Sequence, residues 1–345
     1  MSHTICIPSH KNFDESIDSI NSAIVFARQT NSKIILSDNS DCQIKFNYFE
    51  KNKIDNLLYQ NTSGFDLAKN WYSTVENVST EFLSILSDDD LILNISNNSI
   101  DYSNVDSSVV AIRPSFNYWA TDVGVYNSSN FSIIDVNAKS RLDNYLNVCN
   151  GHNSTLFAAF RTELIAPLYK LWNDHHPTRS GYTDWSLVFA LVSSGKLITD
   201  PNYSLTYKNT NWYGTHEFIN QNIINLFIQA DLPEKTSVLL PLFKAVDSFI
   251  FIMRSFSPLE FSEKIEAASH ILLLYINQFL NLDRSNLFNF DSKEIELFSD
   301  LSKLKTVNDA LITILKIFSL QRADLDSKYR SFYFHSLQNE FGSLK

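Results

Sequence analysis

The stretch EFLSILSDDDLIL, residues 81–93, places Asp88, Asp89 and Asp90 between two apolar runs. Three neighbouring carboxylates repel one another, and burial strips them of hydration that only a cation or strong hydrogen-bond donors replace. Read alone, the triplet is either a solvated turn or helix start, where aspartate is favoured, or a cation site. The run before it, with Phe82, Leu83, Ile85 and Leu86, reads as a strand buried on both faces, as in a parallel sheet.

Upstream, TICIP (4–8) and KIILS (33–37) read as strands on either side of a helix with Ile17, Ile20, Ile24 and Ala27 on one face. That is a β-α-β unit with a parallel pair. NLLYQN (56–61) adds a short strand, and SGFDLAKNWYSTVENV (63–78) a helix with Leu67, Trp71 and Val75 in one stripe. Each strand stops at polar residues: Ser9 and His10, Asp38, and the three aspartates. They therefore share the C-terminal sheet edge, where open α/β sheets bind ligands. This convergence favours a binding site over an ordinary turn.

From 107 to 162 the chain is rich in strand and turn signals: SSVVAIRPSFNYWA, NFSIIDVN and STLFAAF. Residues 163–175 read as a helix, TDWSLVFALVSSGK as another that ends on Gly195 as its C-cap, and LITD and SLTY as two short strands. Long amphipathic helices follow, such as SPLEFSEKIEAASHILLLYINQFL (257–280) and VNDALITILKIFSLQ (307–321). The expected organisation is an α/β domain over 1–216 and an α-helical region over 217–345.

With 345 residues, 44% of them hydrophobic, the chain can bury a large core. Its net charge of −10 argues against a nucleic-acid partner, whose phosphates demand basic surface. Cys6, Cys42 and Cys149 have neither disulfide-framework nor zinc-site spacing, which suits a reducing compartment. MSHTICIPSH carries no export signal, so a cytoplasmic location is expected. The apolar stretch VLLPLFKAVDSFIFIM (238–253) is broken by Pro241, Lys244 and Asp247 and falls short of the ~20 residues a membrane span needs. The C-terminal helices remain the segment for contact with the inner face of a membrane or with a second copy.

Five motifs in order then resemble family 2 glycosyltransferases, nucleotide-sugar-dependent enzymes with the A-type glycosyltransferase fold. ICIPSHK is similar to the family's opening strand, LSDNSD to its Asp-Asp-Gly-Ser-like turn, and LAKNW to its Ala-Arg-Asn-like triplet, with Lys69 for the Arg. LSDDDLI resembles the Leu-Asp-x-Asp-Asp motif, and YTDWSLVFALVSSGK the Glu-Asp pair before a helix. Asn39, Ser87 and Thr183 depart from the pattern. The fold implied is Rossmann-like, with a mostly parallel central sheet flanked by helices, here followed by a helical C-terminal region.

The resemblance implies an inverting transfer from a nucleotide-sugar, with UDP favoured on family frequency, to a glycan or lipid-linked glycan acceptor. Mn²⁺ or Mg²⁺ would neutralise the leaving diphosphate, held by Asp89 with Asp90 and His216. Asp88 would contact ribose or a metal-bound water, Asp38 the base or ribose, and Lys69 the diphosphate, with Pro8 and Ser9 shaping the pocket wall. Asp184 takes the general-base position, Trp185 adjoins it as an acceptor platform, and His152 borders the cleft. Each has a plainer reading: an Asx-turn for Asp38, a solvated helix lysine for Lys69, a helix N-cap for Asp184, a core ring for Trp185, and a loop histidine for His216. His152 has a structural reading, and His175 and His176 are read as loop residues near the acceptor cleft.

The family, and a composition rich in Asn, Ile, Lys and Phe, suggest bacterial capsule or lipopolysaccharide synthesis. The competing reading is a degenerate member that binds or scaffolds through its helical region, which Ser87 and Thr183 keep open. A sugar nucleotidyltransferase would want a glycine-rich loop after the first strand, and PSHKNFDES has no glycine.

Overall fold

The computed structural model describes residues 2–96, 101–283 and 287–338. In chain order its first elements are β1 (His3–Ser9), α1 (Phe13–Thr30), β2 (Lys33–Asp38), α2 (Gln43–Lys51), β3 (Leu57–Asn61), α3 (Leu67–Val75), β4 (Phe82–Ile85) and β5 (Leu91–Asn94). Next come β6 (Val109–Ala120), β7 (Gly124–Ser129), α4 (Ala138–Val148), β8 (Ala159–Arg161), α5 (Thr162–His175), α6 (Asp184–Ser194) and β9 (Lys196–Lys208). The remainder is helical: α7 (His216–Gln229), α8 (Leu240–Met253), α9 (Phe261–Leu280), α10 (Ser292–Leu301), α11 (Val307–Gln321) and α12 (Leu325–Leu337).

These form two compact units. The first comprises Met1–Val136, Asp143–Lys170 and Gly195–Tyr213; the second comprises Asn137–Leu142, Leu171–Ser194 and Gly214–Lys345. The last crossover, Tyr213 to Gly214, lies close to the expected boundary after 216, but the second unit also takes α6 and parts of α4 and α5 from the first part of the chain.

In the first unit, nine strands among the described residues form one mixed sheet in the order β3-β2-β1-β4-β8-β6-β9-β5, with β7 paired to β6. The strands from β3 to β4 are parallel neighbours, and β8 enters antiparallel between β4 and β6. All seven residues of β1 are buried, with Ile5, Cys6 and Ile7 fully so, and each such aliphatic side chain contributes about 1.5–3 kcal/mol of burial energy. Pro8 is tolerated in this central strand because the β1–β4 pairing ends at Cys6 and Ile85, two residues before its missing N–H would matter. The β1–β2 register sets Ser9 opposite Asp38, and the β2–β3 register sets Asp38 opposite Asn61, so three strand ends are flush.

Beyond β5 the structure departs from several expectations. NFSIIDVN makes only an isolated antiparallel bridge, Ile133 to Leu197, on the edge of β9 that β5, paired at Tyr203–Thr206, leaves open. LITD and SLTY are one strand, β9, whose register with β6 jumps from Asp200 to Ser204; Pro201, lacking an N–H, sits in that bulge. Gly195 is not among the left-handed residues that would cap α6. Glycine is needed there because a Cβ would collide with the Val110 side chain and come within 2.8 Å of the Ser108 carbonyl oxygen.

The second unit is a helical assembly around α8, which is buried on nearly every side, as expected for a helix apolar all round. Among the described residues, one segment, Glu234–Met253, is long and apolar enough to cross a membrane by length and composition, and 72% of its most apolar window is buried. Phe243 of α8 stacks on Phe318 of α11 with ring centroids 3.9 Å apart. His176 is not an open loop residue: it is buried, with Nε2 3.2 Å from Oδ1 of Asp247 in the middle of α8. His175 stacks on His335 of α12 at 3.9 Å.

Candidate active site

The site grows from the three flush strand ends of the first unit. Asp88 follows β4 and is 1% exposed. Its Oδ2 accepts hydrogen bonds from Ser9 Oγ (2.7 Å), His10 N (2.9 Å) and Lys11 N (2.8 Å). These donors replace its water and at the same time pin the loop that leaves β1. The His10 imidazole is exposed, with Nδ1 3.7 Å from Asp88 Oδ1.

A second buried carboxylate is Asp38, at the end of β2. Oδ1 accepts from Ser40 N (3.1 Å), the Asx-turn geometry anticipated for DNS, and lies 3.3 Å from the Lys45 ammonium. Oδ2 accepts from the Tyr59 hydroxyl (2.9 Å); burial, reinforced by the Asp38 charge, pushes that phenol well above its ordinary pKa. Lys45, fully buried on α2, also donates to Ser9 Oγ and to the Lys11 carbonyl oxygen (2.9 Å). Asp38, Cys42, Phe46, Tyr59, Asn61 and Ser63 help line a cavity of about 360 Å³, large enough for part of a small organic ligand.

Behind these residues, Asn70 of α3 knots the turns together. Its Oδ1 accepts from Ser37 Oγ (2.7 Å) and Thr62 Oγ1 (2.8 Å), and its Nδ2 donates to Asn39 Oδ1 (3.1 Å). Asn39 in turn donates Nδ2 to the Phe65 carbonyl oxygen (2.8 Å). A carboxylate could not make that bond, which explains asparagine at this departure from the motif.

Asp89 and Asp90 have different partners. The Lys11 ammonium lies 2.6 Å from Asp89 Oδ2, with both side chains only partly exposed. Burial works against the charge on Lys11, but Asp89, with Asp88 and Glu15 further off, holds its ammonium above the ordinary lysine value. Asp90 is fully buried, and its Oδ1 accepts from Lys208 N (2.8 Å) at the end of β9. Burial, then the charge of Asp89, pushes its carboxyl well above the usual carboxylate range, while Lys208 N opposes the shift. Among the described residues no three His, Cys, Asp or Glu side chains group as a metal site would. A divalent ion shared by Asp89 and Asp90 does not fit this arrangement: one carboxylate already holds an ammonium, and the other is turned into the protein against β9.

The other expected residues lie as follows. Lys69 is exposed on α3, with its ammonium 4.0 Å from the Phe65 ring centroid. His152 stacks on Tyr118 at 4.1 Å, and burial lowers its pKa. Asp184, Trp185 and His216 belong to the second unit. Asp184 opens α6 and accepts from Trp185 N (2.7 Å); His216 is exposed in the first turn of α7, which is capped by Thr215. Lys244 of α8 lies 5.0 Å from the Trp185 ring, and burial lowers its pKa against the charge of Asp184. Thr183, standing where the motif has Glu, is fully buried with Oγ1 3.5 Å from His176 Nε2.

No protein-family model matches the chain, and no curated protein sequence does. Solved structures do. S. aureus TarS 1-349 in complex with UDP-GlcNAc superposes with a TM-score of 0.50 and 14% identity, over 97% of this chain and 91% of that one. The chain has the fold of a family 2 glycosyltransferase. TarS 1-349 in complex with UDP aligns at 12% identity and a TM-score of 0.47, over 97% of this chain and 90% of that one.

Sequence reasoning missed Lys11, Lys45, Tyr59 and Asn70 as members of this edge. Lys11 and Asn70 stood inside quoted motifs, PSHK and LAKNW, and the flush strand ends were the signal for them. Lys45 lies on α2, which buries only itself and Phe49, too little apolar surface to show as a helix in the sequence.

Proposed function

We propose that this protein is a nucleotide-sugar-dependent glycosyltransferase that takes a nucleoside diphosphate sugar, a UDP-sugar first, and passes the sugar to a glycan or lipid-linked glycan acceptor. The observation that carries this reading is the strand-end cluster: Ser9, Asp38 and Asp88 meet at the C-terminal edge of the parallel strands, beside a cavity of about 360 Å³. A fold aligned over 97% of the chain with a protein solved with UDP-GlcNAc supports the donor class.

In this reading Asp38 and Tyr59 present fixed hydrogen-bonding atoms to the nucleoside, and Pro8 and Ser9 form the wall beside it. The reaction is a single displacement. The acceptor hydroxyl oxygen bonds to the anomeric carbon as the bond to the diphosphate oxygen breaks, the electron pair leaves with the nucleoside diphosphate, and the hydroxyl proton passes to a carboxylate. The motif order assigns that proton to Asp184, which makes the transfer inverting, and it assigns acceptor contacts to Trp185 and His152. Bacterial surface polysaccharide is the proposed destination, in the cytoplasm; the free cysteines Cys6, Cys42 and Cys149 suit that compartment.

Two measurements test this. A panel of nucleotides and nucleotide-sugars should contain at least one that raises the melting temperature, as ligands of the native state must. With that donor, Asp184→Asn should lower transfer by about 10²–10⁴-fold and leave donor binding intact. Full activity in the variant would remove Asp184 from the role of base.

A further inference from the structure

We infer that Lys11 supplies, at the donor diphosphate, the positive charge that the aspartate motif leads one to expect from a divalent cation. The inference rests on the donor reading above and on how this residue is held. Its backbone is fixed on both sides: its N–H donates to Asp88 Oδ2 (2.8 Å), and its carbonyl oxygen accepts from the buried Lys45 (2.9 Å). Its side chain is fixed at the head, where Nζ lies 2.6 Å from Asp89 Oδ2. An ammonium carries three donors, so one can hold Asp89 while two remain for phosphate oxygens.

The other carboxylates at this edge are held from inside the protein. Asp88 accepts from hydroxyl and amide donors, Asp38 pairs with Lys45, and Asp90 accepts from Lys208 N on Oδ1, while its buried Oδ2 has no hydrogen-bond partner among the described residues. Lys11 is the cation at the partly exposed end of the cluster, with 24% of its side chain open to solvent. Asp89 then orients the ammonium and keeps it charged, and a lysine serves as a point charge on phosphate where a carboxylate-held ion would otherwise sit. The reaction needs no additional reactant: the leaving diphosphate keeps its electron pair, and Lys11 stays protonated throughout.

The test is binding of UDP by titration calorimetry, to the full chain, in EDTA and again in Mn²⁺. For the wild type, affinity should change by less than about threefold between the two conditions. Lys11→Met should weaken binding by about tenfold or more in EDTA, and Lys11→Arg, which keeps the charge, should retain most of it. Wild-type binding that requires Mn²⁺ overturns the inference whatever the variants do, as does Lys11→Met binding in EDTA like the wild type. The wild-type arm needs no substitution, so a variant that folds poorly does not blunt the test. Failure of every nucleotide to bind any form would instead overturn the donor reading on which the inference rests.

Discussion

Replacing Asp88 with alanine removes one buried oxygen that takes three hydrogen bonds, from Ser9 Oγ, His10 N and Lys11 N at 2.7–2.9 Å. A hydrogen bond to a charged acceptor contributes about 1.5–3 kcal/mol, and three at the lower figure sum to about 4.5 kcal/mol. The His10 and Lys11 amides are only part-buried and regain water once the loop loosens, which brings the expected loss to about 3 kcal/mol. With a urea slope of about 3 kcal/mol per molar, the unfolding midpoint of the first unit should fall by about 1 M. Asp88→Asn keeps an oxygen for the same donors and gives up only the charge, so its cost should be nearer about 1 kcal/mol. Hydrogen exchange provides the local check: the His10 and Lys11 amides should lose protection in Asp88→Ala ahead of the β1 strand interior. A midpoint within about 0.2 M of wild type, together with unchanged exchange at both amides, would refute the claim that Asp88 pins this loop.

Two further outcomes follow from the buried titratable groups. Asp90 stays protonated in the fold at pH values where the unfolded chain has ionised it, so its contribution is full below pH about 4 and is lost as the pH rises through its raised folded value. Asp90→Asn should therefore gain stability relative to wild type as pH climbs from about 4 toward neutrality, and a difference that stays flat across urea titrations in that range would show the carboxyl to be ionised in the fold. In the second unit, Asp247→Leu alone leaves His176 without its buried partner and should cost about 3 kcal/mol, whereas His176→Phe with Asp247→Leu should recover most of that. A double-mutant cycle in thermal unfolding measures the coupling, and strictly additive single effects would mean that the two side chains do not depend on each other.

The sequence by itself determined the elements whose period is strong and whose ends are chemically marked. The apolar run of β1 stopping at Ser9, the run of β4 stopping at three aspartates, and the helix over 307–321 were legible because burial imposes a repeat and a polar residue ends it. That was enough to bring Ser9, Asp38 and Asp88 to one edge. Only the tertiary structure decided what each carboxylate does there. Three adjacent aspartates are alike in sequence, but Asp88 is turned onto backbone amides, Asp89 onto an ammonium and Asp90 onto the backbone N–H at the end of β9, because their partners come from residues 9–11 and 208. Gly195 is a similar case: its local sequence suggests a helix cap, while the reason for glycine is a strand packed against it from residues 108–110. Periodicity is a property of the chain, but the partner of a buried charge depends on which distant segments the fold brings within about 3 Å of it.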